Sequence, residues 1–134
     1  MNILKLIMPK EKPPKRESDD LPRYDISCDF DGVIHAYSKG WADGSIYDVP
    51  MLGAKESVQA ILEAGRTIVI QTTRRDLTAV TDWLNKWGFP ALTVTNQKPL
   101  AKVYLDDRGL RFHDWEKAIS DLSKLSPKKP HGTA

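Results

Sequence analysis

The chain has 134 residues, enough for one domain around one hydrophobic core. Its 20 basic residues against 18 acidic ones leave a net charge of +2, too small an excess to argue for nucleic acid by itself. The single cysteine excludes an intrachain disulfide framework and suits a reducing, cytoplasmic setting, and no apolar run reaches membrane-spanning length.

Residues 1–23 divide into an apolar octet, Met1 to Met8, and a polar run rich in proline and lysine. The octet lacks a clear basic start and a small-residue cleavage site, so it does not read as a signal peptide. The run reads as a flexible linker with solvated lysines. Tyr24-Asp25-Ile26-Ser27-Cys28 alternates behind Pro22 and predicts a short strand. That strand runs into Asp29-Phe30-Asp31-Gly32. Residues two apart in a strand share a side, so a turn at Gly32 would leave both carboxylates facing one ligand. Like charges so close call for a cation or a shared proton. Mg2+ fits as a hard ion that takes oxygen ligands alongside phosphate. A calcium loop does not fit: counted from Asp29, its fifth, sixth and twelfth positions fall on Val33, Ile34 and Gly40.

Val33 to Val49 carries glycines and aromatics and predicts a flap or hairpin over the site. Ala54 to Ala64 predicts a helix with Ala54, Val58, Ile61 and Leu62 on one face and Gly65 as its C-terminal cap. Thr67 to Thr72 is β-branched and predicts a buried strand. Asp76 is placed to cap a helix whose stripe is Leu77, Val80, Trp83, Leu84 and Trp87, closed by Gly88 and Pro90. Ala91–Thr95 and Lys102–Asp106 predict two more strands. A last helix, about His113 to Leu125, is expected to turn Trp115, Ala118, Ile119, Leu122 and Leu125 inward. Residues 126–134 predict a disordered tail. The alternation predicts an α/β domain over residues 24–125, with a small, mostly parallel sheet and helices on both faces. The link Asn96–Ala101 is too short for a crossover helix. Extended, it spans roughly 20–25 Å, enough to cross the sheet's end once; otherwise the third strand stands outside the sheet.

Polar residues collect where these strands end: Thr72-Thr73-Arg74, Lys98 before the fourth strand, and Asp106-Asp107-Arg108 after it. Open α/β sheets bind ligands at the C-terminal ends of their strands. Each signal alone is commonly a turn or loop residue; together they mark one end of the sheet.

With its order kept, this set resembles the haloacid dehalogenase-type (HAD) phosphohydrolases, which carry four short motifs on a Rossmann-like core. Asp29-Phe30-Asp31-Gly32-Val33-Ile34 resembles the first motif and Ile68-Val69-Ile70-Gln71-Thr72 the second. Lys98 resembles the third and Leu105-Asp106-Asp107 the fourth. The resemblance spans residues 24–125, and the run Lys98–Arg108 is similar to small, compact members, including phage-encoded ones. It implies a Mg2+-dependent phosphomonoester hydrolase without a cap domain. Asp29 would be the nucleophile and Asp31 the general acid and base. Thr72 and Lys98 would hold the phosphoryl oxygens. The metal set would be Asp29, Asp31 through its backbone carbonyl, and Asp106 or Asp107. Thr73 and Arg74 would serve the substrate phosphate, Arg74 as a fork. His35 reads as a structural flap residue.

A missing cap suits a large substrate, and similarity to the phosphatase half of polynucleotide kinases suggests a nucleotide or nucleic-acid 3′-phosphate. A kinase phosphate loop is absent from the sequence. A signalling receiver domain has its acidic pair at the first strand, which is the wrong order here. The remaining alternative is a catalytically idle HAD-type fold used for binding or assembly.

Overall fold

The computed structural model describes residues 22–126 together with Pro14. The expected flexible segment 1–23 and tail 126–134 therefore lie outside the described residues, apart from Pro14, Pro22, Arg23 and Ser126. The described chain is a small α/β fold. Four strands, β1 (Arg23–Asp29), β2 (Ile68–Gln71), β3 (Thr93–Thr95) and β4 (Leu100–Leu105), form one sheet. Three helices accompany it: α1 (Ala54–Glu63), α2 (Leu77–Lys86) and α3 (Trp115–Leu122).

Strand order is β3-β2-β1-β4, and all three pairings are parallel. β3 is thus in the sheet, and residues 96–99 connect the two edge strands without a helix. The order makes β1 central, with β2 and β4 on either side. Successive strands grow outward from β1 on one side, and the chain then returns to β1's other side. That reversal places a crevice at the C-terminal end of β1, where open α/β sheets hold ligands.

Local sequence chemistry fixes both packed helices. Gly65 takes φ +80°, and the Arg66 amide reaches back to the Ile61 carbonyl, closing α1 with a left-handed cap. The Asp76 carboxylate accepts from the Ala79 amide at 3.0 Å and starts α2. Gly88 closes α2 in the same way that Gly65 closes α1, with the Phe89 amide on the Leu84 carbonyl.

The core lies on one side of the sheet. Cys28 from β1, and Ile68 and Ile70 from β2, pack with Val58 of α1 and with Val80, Trp83 and Leu84 of α2. Phe30, just past β1, is fully buried and meets the Trp83 ring edge-on, centroids 5.2 Å apart. A Phe→Ala change at such a position typically costs about 3–5 kcal/mol.

The last helix departs from expectation. Of its five apolar residues only Ala118 is buried, while Trp115, Ile119, Leu122 and Leu125 are exposed. On the edge strand β4, Val103, Tyr104 and Leu105 are exposed as well, so the last helix and this strand leave each other's apolar residues uncovered. The expected second helical layer is therefore absent from the core.

The flap spans residues 33–52, but its ladder is minimal. His35 bridges Pro50 antiparallel and Asp31 in parallel, supported by bonds from the Ala36 amide to the Val49 carbonyl and from the Met51 amide to the Ile34 carbonyl. The rest is a loop held by side chains. The Asp48 carboxylate accepts from the Ser38 amide at 2.8 Å and the Ser38 hydroxyl at 2.6 Å. The Tyr47 hydroxyl accepts from the Lys39 amide and donates to the Gly40 carbonyl. Hydrogen bonds from Ser38, and then from the Val49 amide, hold the Asp48 carboxyl down at about 2.

Candidate active site

Three carboxylates from distant parts of the chain converge at the C-terminal end of β1. Asp29, Asp106 and Asp107 each offer an oxygen within 4.8 Å of the others. The sheet explains the meeting. Cys28 pairs with Leu105 across β1 and β4, so the next residues, Asp29 and Asp106, stand side by side. Asp107 reaches over Gly32, whose φ is +85° and whose Cα faces the Asp107 carboxylate so closely that a Cβ there would strike it. Glycine is required at this position twice, for the backbone angle and for the approach of Asp107.

Burial, and then the charges of Asp106, Asp107 and Asp31, push the Asp29 carboxyl up to about 6, against the pull of the Phe30 amide. Hard oxygen donors in this number suit Mg2+ or a similar cation, which the three side chains could hold.

The Asp31 carboxylate is not a member of this group. It accepts from Arg74 Nε at 2.9 Å, Arg74 Nη2 at 3.0 Å and His35 Nδ1 at 2.7 Å. The His35 tautomer follows from its other partner. Nε2 lies 3.0 Å from the Asp48 amide and must accept, so Nδ1 carries the proton and donates to Asp31. His35 is fully buried between Phe30 and Trp83, in keeping with its expected structural part. Asp31's backbone carbonyl, the atom expected at a metal, is not used by these side-chain bonds.

Arg74 is neither a surface arginine nor an open fork for phosphate. It is 6 % exposed, and its third bond, from Nη1, goes to the Gly44 carbonyl of the flap at 2.7 Å. Its guanidinium also lies 4.8 Å from the centroid of the Trp41 ring. One arginine thus joins the second acid of the pair, the end of β2 and the flap.

Thr72 is buried, and its hydroxyl accepts from the Arg74 amide at 3.0 Å. Asp29, Asp31, Thr72, Thr73, Asp106 and Asp107 all line one cavity of about 270 Å³. Gln71, Arg108 and the flap residues Tyr37 and Trp41 complete its wall. Lys98 stands apart from it. It lines an adjoining cavity of about 630 Å³ that shares Asp29, Gln71 and Asp106, and its Nζ sits 4.9 Å over the Tyr104 ring. The structure therefore gathers the acids and threonines around one space and sets Lys98 on its far side.

Sequence reasoning missed Tyr37, Trp41 and Gln71 as wall residues and the Arg74–Asp31 pair. The only available signal for the pair was an arginine directly after a strand end with an acid at a neighbouring one. Comparison with protein-family models, curated proteins and solved structures gives no match for this chain.

Proposed function

We propose that this protein is a phosphomonoester hydrolase of the HAD type, on a Rossmann-like core without a cap domain, working through an aspartyl-phosphate with Mg2+ as cofactor. The observation that carries the reading is the convergence of Asp29, Asp106 and Asp107 at the C-terminal end of the central strand, in the cavity that also holds Asp31 and Thr72. A bound Mg2+ would neutralise the clustered carboxylates and the phosphoryl oxygens, letting an anionic nucleophile approach an anionic ester.

In the first half-reaction an Asp29 oxygen bonds to phosphorus, and the ester oxygen leaves with a proton from Asp31. In the second, Asp31 takes a proton from water, the water oxygen bonds to phosphorus, and the Asp29–phosphorus bond breaks. Thr72 donates to a phosphoryl oxygen, and Lys98 brings positive charge from the neighbouring cavity. Asp31 carries the transferred proton at one point of each half-reaction, so one of its three bonds, from Arg74 or His35, gives way each time.

The test is Mg2+-dependent release of p-nitrophenol from p-nitrophenyl phosphate. Asp29→Asn is expected to abolish it. Wild-type protein that turns over no ester in a broad phosphate panel overturns the reading and favours a catalytically idle binding module.

A further inference from the structure

Trp41 is the largest side chain on the flap, and it is not part of the core: 55 % of it is exposed. A solvent-facing tryptophan on a loop is commonly mobile, yet this ring is fixed from beneath. Its benzene edge lies over Gly44, where an added Cβ would come within 2.9 Å of a ring carbon. The Arg74 guanidinium supports the same ring at 4.8 Å, a cation–π contact. Arg74 is itself immobilised by Asp31 and the Gly44 carbonyl. Glycine and arginine thus pack against the indole, and the indole borders the cavity of the three acids.

Tyr37 lines the same cavity from a backbone φ of +57°, a conformation that costs a bulky residue energy and that clusters at ligand sites. Two aromatic residues lining one cavity, one backed by a cation and one held under strain, offer ring faces on which a flat heterocycle can stack.

We infer that Trp41 is a stacking platform for a planar heterocycle carried by the alcohol half of the substrate, so that the ester is nucleobase-bearing. The inference rests on the hydrolase reading for the identity of the centre. Arg74 ties the platform to Asp31, the group that protonates the leaving oxygen, so the ring lies on the leaving-group side. Ring recognition and proton delivery are then set by the same guanidinium.

The test is calorimetric binding, with Mg2+ present, to the full chain carrying Asp29→Asn, using adenosine 3′-monophosphate and the ring-free ester glycerol 2-phosphate. Whatever Asp29→Asn costs the shared phosphate cancels in the ratio of the two affinities. The nucleotide is expected to bind about tenfold tighter, in the lower part of the range for one base on one aromatic side chain. Adding Trp41→Ala or Trp41→Leu should bring the ratio close to one, and Trp41→Phe should keep most of it. Trp41→Leu retains an apolar cover over Gly44 without a flat face, so it serves if the alanine variant unfolds. A ratio near one, a ratio that survives Trp41→Leu, or binding of neither ester overturns the platform. Ring-dependent binding beside a wild-type protein that hydrolyses neither ester overturns the hydrolase and leaves the platform standing. Equal hydrolysis of both esters with a ratio of one does the reverse.

Discussion

Arg74 grips Asp31 with two prongs, Nε and Nη2 donating at 2.9 and 3.0 Å to the two oxygens of one carboxylate 43 positions earlier in the chain. Arg74→Ala leaves that mostly buried carboxylate with His35 as its side-chain donor among the described residues, and takes the Arg74 Nη1 bond from the Gly44 carbonyl. Breaking a buried pair on one side costs about 3–5 kcal/mol. Partial exposure of Asp31 places the expected loss near the lower end, about 3 kcal/mol by urea unfolding. Adding Asp31→Asn removes the unpaired charge and should recover more than about 1 kcal/mol of that loss. Strict additivity of the two changes would refute a coupled pair.

Gly32 and Gly40 separate two costs that usually travel together. Both have positive φ, +85° and +66°, but only Gly32 faces a side chain; nothing lies within 4 Å of a Cβ at Gly40. Gly40→Ala should therefore cost the backbone strain alone, about 1–2 kcal/mol, and leave Mg2+ affinity unchanged. Gly32→Ala should cost more and displace the Asp107 carboxylate, weakening Mg2+ binding by calorimetry. Equal Mg2+ affinity in the two variants would remove Asp107 from the metal set.

Much of this architecture can be read from periodicity and punctuation. Asp76 and Gly65 mark helix ends because capping is local chemistry, and Ile68–Ile70 reads as buried because three β-branched residues in a row leave no solvent face. The meeting of Asp29 with Asp106 was implied by the family resemblance; the strand order that brings it about was not legible in the sequence. Arg74 was expected on phosphate or at the surface. Its true partner depends on how the flap folds back, a tertiary matter that leaves no local mark. The apolar stripe of α3 has helical spacing whether or not anything covers it. Periodicity reports which face is apolar; whether Trp115 and Ile119 are covered is decided by tertiary packing, which leaves both exposed.

Cys28 tests the buried end of β1 from another direction. Burial, with the charge of Asp29 adding to it, pushes its thiol up to about 12. The native protein should leave it unmodified by a thiol reagent at pH 8, with one equivalent reacting after denaturation. The sign of the linkage follows. The folded chain keeps the thiol proton above the unfolded pKa near 9, so this group's contribution is present below pH 9 and lost as the pH rises toward 12. Rapid native modification would mean that β1 opens locally.

The strongest check on the acid cluster is the way Mg2+ and protons compete for Asp29. Its carboxyl stands at about 6 in the folded chain against 3.8 unfolded. The folded state therefore holds the extra proton between those values, and the metal-free protein should lose stability as the pH rises from about 4 to about 6. A cation needs the ionised form. At pH 5 about nine-tenths of Asp29 is protonated and at pH 7 about one-tenth, so apparent Mg2+ affinity should fall about tenfold between pH 7 and pH 5. At fixed, near-saturating Mg2+ that difference is worth about 1.4 kcal/mol of added stability, or several degrees of Tm. Mg2+ should raise Tm more at pH 7 than at pH 5, and Asp29→Asn should flatten the difference, because the amide has no proton to lose. Equal stabilisation at both pH values in the wild-type chain would place the cation elsewhere and leave Asp29 merely buried.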